Sequence, residues 1–82
     1  MDMNASATEL MAVKFADCMA RLKAFGLKGE VSVTAGLVMV ATTDKGSAQG
    51  FRKAIKTACA KTGAVSTESR PAKGAYVFAI AI

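Results

Sequence analysis

The stretch Ala75-Tyr76-Val77-Phe78-Ala79-Ile80-Ala81-Ile82 decides how this chain folds. Side chains along a β-strand alternate between its two faces. Tyr76, Phe78, Ile80 and Ile82 therefore share one face, and Ala75, Val77, Ala79 and Ala81 share the other. Neither set is polar. A strand that is apolar on both sides belongs in the interior of a sheet, with neighbours left and right and cover above. The rest of the chain has to supply that cover.

Upstream of it, Arg70-Pro71-Ala72-Lys73-Gly74 reads as a basic turn, and residues 64–70 as a strand that is polar apart from Val65, hence an edge. Gly63 ends a helix over 48–62. Its apolar stripe is Phe51, Ile55, Ala58 and Thr62, with Ala54 and Cys59 beside it. Ser47 is the expected N-cap, and Arg52, Lys53 and Lys56 take the solvent side. Leu37-Val38-Met39-Val40-Ala41, within a strand over 37–43, is a second two-faced apolar run and also belongs inside the sheet. Ala35-Gly36 turns back to a one-sided strand over 30–34, with Val31 and Val33 inward. A first helix over 7–25 carries the stripe Met11, Phe15, Cys18, Leu22 and Phe25, widened by Ala12 and Met19. Ser6 and Glu9 have the spacing of a capping box, which leaves residues 1–5 as a frayed end, and Gly26 or Gly29 supplies the stop.

The order is α-β-β-α-β-β in one α+β domain spanning 1–82. Two interior and two edge strands predict an antiparallel sheet of order 1-2-4-3, with both helices on one face. Such connectivity is similar to that of a circularly permuted ferredoxin-like sandwich with a right-handed crossover. Two helices cover one face only. The other is expected to expose Val38 and Val40 beside Ala75, Val77, Ala79 and Ala81, an apolar patch fit for a homodimer or another protein partner.

Chemistry is constrained mainly by what the chain lacks. With no histidine, Ser-His-Asp and Cys-His constellations are excluded. Cys18 and Cys59 are too few for a disulfide framework or a zinc knuckle and read as buried thiols in a reducing, cytoplasmic setting. The carboxylates are scattered. No enzyme, metal or cofactor is expected. No run approaches the roughly 20 apolar residues of a membrane span, and the first residues do not read as a signal peptide.

Charge is lopsided. Residues 1–44 set Lys14, Arg21, Lys23 and Lys28 against five carboxylates, whereas residues 45–82 set Lys45, Arg52, Lys53, Lys56, Lys61, Arg70 and Lys73 against Glu68 alone. A positive stripe of Lys45, Arg52, Lys53, Lys56, Arg70 and Lys73 is one candidate site, for nucleic acid or another polyanion. With Tyr76 the single tyrosine and no tryptophan, stacking on bases is a poor prospect. The segment Thr43-Asp44-Lys45-Gly46-Ser47 is an ordinary capped helix start or, less simply, an anion site at a helix N-terminus. Two functions are therefore expected to compete: a non-enzymatic module binding a polyanion through the second half, and a homo-oligomeric or protein-interaction subunit using the open sheet face.

Overall fold

The computed structural model describes residues 3–34 and 36–81, with side chains from residue 10 onward. Helix α1 (Met3–Ala24), strands β1 (Glu30–Thr34) and β2 (Leu37–Thr42), helix α2 (Lys45–Thr62) and strands β3 (Val65–Ser69) and β4 (Tyr76–Ala81) follow in that order. The strands form one antiparallel sheet, β1-β2-β4-β3. The closing strand lies in the interior, as its two apolar faces require. Ile82 and Ala35 lie outside the described residues.

Register decides what each face carries. Val38 pairs with Ile80 and Val40 with Phe78, so the valines of β2 and the large residues of β4 share one face. Both helices lie against it. The core joins Ala12, Phe15, Ala16 and Met19 of α1 to Ala48, Phe51 and Ile55 of α2 over Val38, Val40, Phe78 and Ile80. Phe51, Met19, Ile55, Ile80, Val38 and Val40 are the largest fully buried side chains. Each contributes about 1.5–3 kcal/mol by leaving water.

This overturns the expected exposure of Val38 and Val40, both 0% exposed under the helices. β2 carries bulky apolar side chains at both parities, so its own pattern does not set its phase. Pairing with Ile80 and Phe78 sets it, and turns Leu37, Met39 and Ala41 to the uncovered side.

The helices also differ in detail from the sequence reading. α1 begins by Met3, so Ser6 and Glu9 lie within it rather than at its cap, and residues 3–5 are helical. No glycine or proline interrupts that segment, and serine inside a helix costs only a few tenths of a kcal/mol. The buried stripe is Ala12, Phe15, Ala16 and Met19. Met11 and Cys18 flank it exposed, and Phe25, beyond the helix end, is 86% exposed. α1 stops at Gly26 (φ 106°). Gly26 N–H donates to the Lys23 carbonyl and Leu27 N–H to the Leu22 carbonyl, the paired bonds of a Schellman end. α2 ends at Gly63 (φ 77°), whose N–H donates to Cys59 O; Thr62 is exposed and not in the stripe.

The N-cap of α2 is Asp44, not Ser47. One Asp44 carboxylate oxygen accepts from Ser47 N–H (2.9 Å) and from the Ser47 hydroxyl (2.7 Å). Ser47 is buried and its hydroxyl also accepts from Lys28 N–H (2.8 Å). The Thr42 hydroxyl, buried too, donates to Lys28 O (2.5 Å) and accepts from Asp44 N–H (3.1 Å). Both buried hydroxyls are thus satisfied, and the segment entering β1 is tied to the end of β2 and the start of α2. Gly29 lets this happen. A Cβ there would lie 2.7 Å from Ala41 O and 3.1 Å from the Phe51 ring.

Gly29→Ala is therefore expected to lower the unfolding free energy in urea by about 1–3 kcal/mol, as overpacking against backbone does. Gly46→Ala, whose nearest new contact is 3.6 Å away, should leave it unchanged or raise it by up to about 1 kcal/mol, since alanine is the better helix former.

Candidate interaction surfaces

The uncovered face of the sheet is built in three rows. Thr34, Leu37, Ala81 and Val65 form the first, Ser32, Met39, Ala79 and Thr67 the second, and Glu30, Ala41, Val77 and Ser69 the third. Every central-strand residue among them is apolar, and most edge-strand residues carry a hydroxyl. Glu30 is the single charge in these rows, and Lys28 stands beside it in the hollow at their end. Leu37 is 40% and Val65 65% exposed, while Met39, Val77 and Ala79 are half-buried by their neighbours. Ala75, just before β4, is half-buried and lines a hollow of about 310 Å³ at one end of this face with Gly29, Glu30, Ala41 and Val77. Of the sequence-predicted face, Ala75, Val77, Ala79 and Ala81 are placed as expected. Leu37, Met39 and Ala41 replace Val38 and Val40.

The basic residues do not share one environment. Arg52 remains partly exposed on α2 but is not free. It reaches across to β3, where Nε lies 2.6 Å and Nη2 3.0 Å from the two Glu68 carboxylate oxygens. Its guanidinium also lies 5.9 Å from the centre of the Phe78 ring, the cross-strand partner of Glu68. Arg70 approaches the same carboxylate at 3.8 Å and sits 4.9 Å over Tyr76. Bidentate bonding and the nearby cations stabilise ionised Glu68. Its pKa is lowered, chiefly by the Arg52 hydrogen bonds, with Arg70 and Lys56 adding field, and that of Arg52 is raised by the same bonds. Lys56 lines the same cleft between α2 and β3. Lys45, Lys53 and Lys73 are exposed.

At the start of α2 the Asp44 carboxylate occupies the position an external anion would take. Its pKa is lowered, mainly by the Ser47 hydroxyl and then by Ser47 N–H. Lys45 at this end is exposed and Ser47 is committed to Asp44 and Lys28. Among the described residues no group of three or more His, Cys, Asp or Glu is disposed to hold a metal ion, and no helix is long and apolar enough to cross a membrane. Cys18 is a free, exposed thiol rather than a buried one, and Cys59 is free and half-buried.

No family model matches the chain, and no curated protein sequence matches it.

Glu68 has a lowered folded pKa, so its contribution to stability is complete above its ordinary value of 4.5 and is lost as pH falls through the folded value. Glu68→Gln should melt below the wild type at neutral pH, with the gap closing under acid conditions. The variant also releases Arg52 and Arg70, so it should elute from a heparin column at higher salt than the wild type.

Proposed function

We propose that this chain is a small non-enzymatic interaction module that pairs with a second copy of itself through the open face of its sheet. The observation that carries this reading is the makeup of that face: apolar side chains from both central strands, a hydroxyl-rich margin, and Glu30 as the only charge. An apolar centre poor in charge inside a polar rim is the pattern of protein interfaces. Alanine at 41, 79 and 81 permits close approach of another sheet, at about 10 Å. A second copy suits this surface better than a polyanion does, because none of its rows carries a cation and Lys28, in the hollow at their end, stands beside Glu30.

Size sets the strength. Four strands about 4.8 Å apart and about five residues long give a face of roughly 300 Å² in projection. That is less than half of the roughly 800 Å² per partner that stable interfaces bury. The pairing is a reversible one, sensitive to concentration. Two free thiols suit a reducing, cytoplasmic setting.

A nucleic acid or another polyanion is the second reading, favoured by one observation: Arg52, Lys56 and Arg70 surround a single carboxylate, leaving surplus positive charge beside α2 and β3.

Analytical ultracentrifugation separates the two. The wild type should dimerise with rising concentration, and Met39→Lys or Ala79→Lys, each placing a charge in the middle row, should sediment as monomers with unchanged circular dichroism. A wild type that stays monomeric throughout, or lysine variants that dimerise equally well, would sink the sheet-face reading. Salt gives an independent check. Two copies each of net charge +5 repel, so added NaCl should strengthen dimerisation, whereas polyanion binding weakens as salt rises.

A further inference from the structure

The helix layer carries a second surface, on the side of the molecule away from the open sheet face. α1 from Met11 to Cys18 runs beside α2 from Thr62 back to Gly50, and two hollows of about 260 and 440 Å³ lie along the seam. They share Cys18, Ala58 and Lys61, so they form one furrow. Its floor is apolar: Met11, Phe15, Cys18, Ala54 and Ala58. Lys14 stands on the α1 bank, Lys53 and Lys61 on the α2 bank, all three exposed. Among the described residues no carboxylate lines it.

We infer that this furrow is a docking groove for an acidic amphipathic helix of a partner protein. Charge complementarity selects that occupant. The furrow spans thirteen residues of α2, from Gly50 to Thr62, a rise of roughly 18 Å between its ends. A partner helix of about three turns fills that length. Its apolar stripe would cover the floor while carboxylates on its flanks meet Lys14 on one side and Lys53 and Lys61 on the other. Lys53 and Lys61 lie about 12 Å apart along the axis, matching carboxylates slightly over two turns apart on the partner.

Other anions fit less well. A nucleic acid gains from bases stacked on exposed rings, and the one aromatic residue of the floor, Phe15, is only 5% exposed. An acyl chain would lie half in water in an open furrow. The small residues Gly50, Ala54 and Ala58 are what keep the α2 bank low enough for another helix to settle. Gly50 also packs against Leu27, whose side chain reaches to within 2.9 Å of where a Cβ would stand.

The experiment titrates ¹⁵N-labelled protein with a synthetic amphipathic helix bearing leucines along one face and glutamates on both flanks. Amide shifts should centre on Met11, Cys18, Ala54 and Ala58. The Lys14→Glu/Lys53→Glu/Lys61→Glu variant, altered only at exposed positions, should bind at least about tenfold more weakly, the combined effect of three surface ion pairs. Lys45→Glu/Lys73→Glu should bind like the wild type, and a peptide with lysines in place of its glutamates should not bind. Shifts confined to Met39, Val77 and Ala79, or equal binding by the triple variant, would overturn the inference. So would tighter occupation of the furrow by a single-stranded oligonucleotide or by phosphatidylglycerol vesicles. Oligomeric state does not enter this readout, so the sheet-face dimer and the helix-layer groove stand or fall separately.

Discussion

The structure depends on one packing relation: the face shared by Val38, Val40, Phe78 and Ile80 is pressed under both helices at once. Phe51 and Ile55 of α2 and Phe15 and Met19 of α1 are buried against it. A chain with two helices and one sheet can cover one face. Once the valines of β2 and the large residues of β4 are committed to it, alternation obliges Leu37, Met39, Ala41, Val77, Ala79 and Ala81 to face away. The uncovered surface is a geometric consequence of the core.

Polar groups hold this arrangement where apolar contact cannot. Thr42, Ser47 and Asp44 join the end of β2 to the first turn of α2, and through Lys28 they also hold the entry to β1. At the opposite edge Arg52 extends over Phe78 to Glu68, closing the margin that α2 leaves above β3. An arginine can do both because its stem and guanidinium plane cover an aromatic ring while its donors bond a carboxylate. The same use draws Arg52 away from the free positive charge of the second half. The lysines, which have no such planar fork, stay in water.

The two sides of the molecule therefore differ in chemistry. One is a nearly uncharged sheet face with hydroxyls at its margins. The other is a helix layer whose apolar seam is lined by lysines. Surfaces so different suit different neighbours: the net charge of +5 lies outside the rows of the sheet face, where Glu30 is the single charged residue.

Much of this was legible from residue order alone. The two-sided apolar runs at 37–41 and 75–82 placed two strands inside the sheet, and the polar run after Gly63 and the one-sided run at 30–34 placed the other two at its edges. The α-β-β-α-β-β order with its 1-2-4-3 sheet followed, because local alternation and glycine stops are properties of a few neighbouring residues. Which face of β2 lies inward was not legible, since valine and leucine or methionine alternate along it with similar bulk. That choice is made by register against β4, a contact between residues about forty positions apart. The fate of Arg52 was hidden for the same reason: sequence placed it on a helix surface, and only the fold brought Glu68 under its guanidinium. Periodicity is written in the chain, whereas phase and pairing arise when distant segments meet.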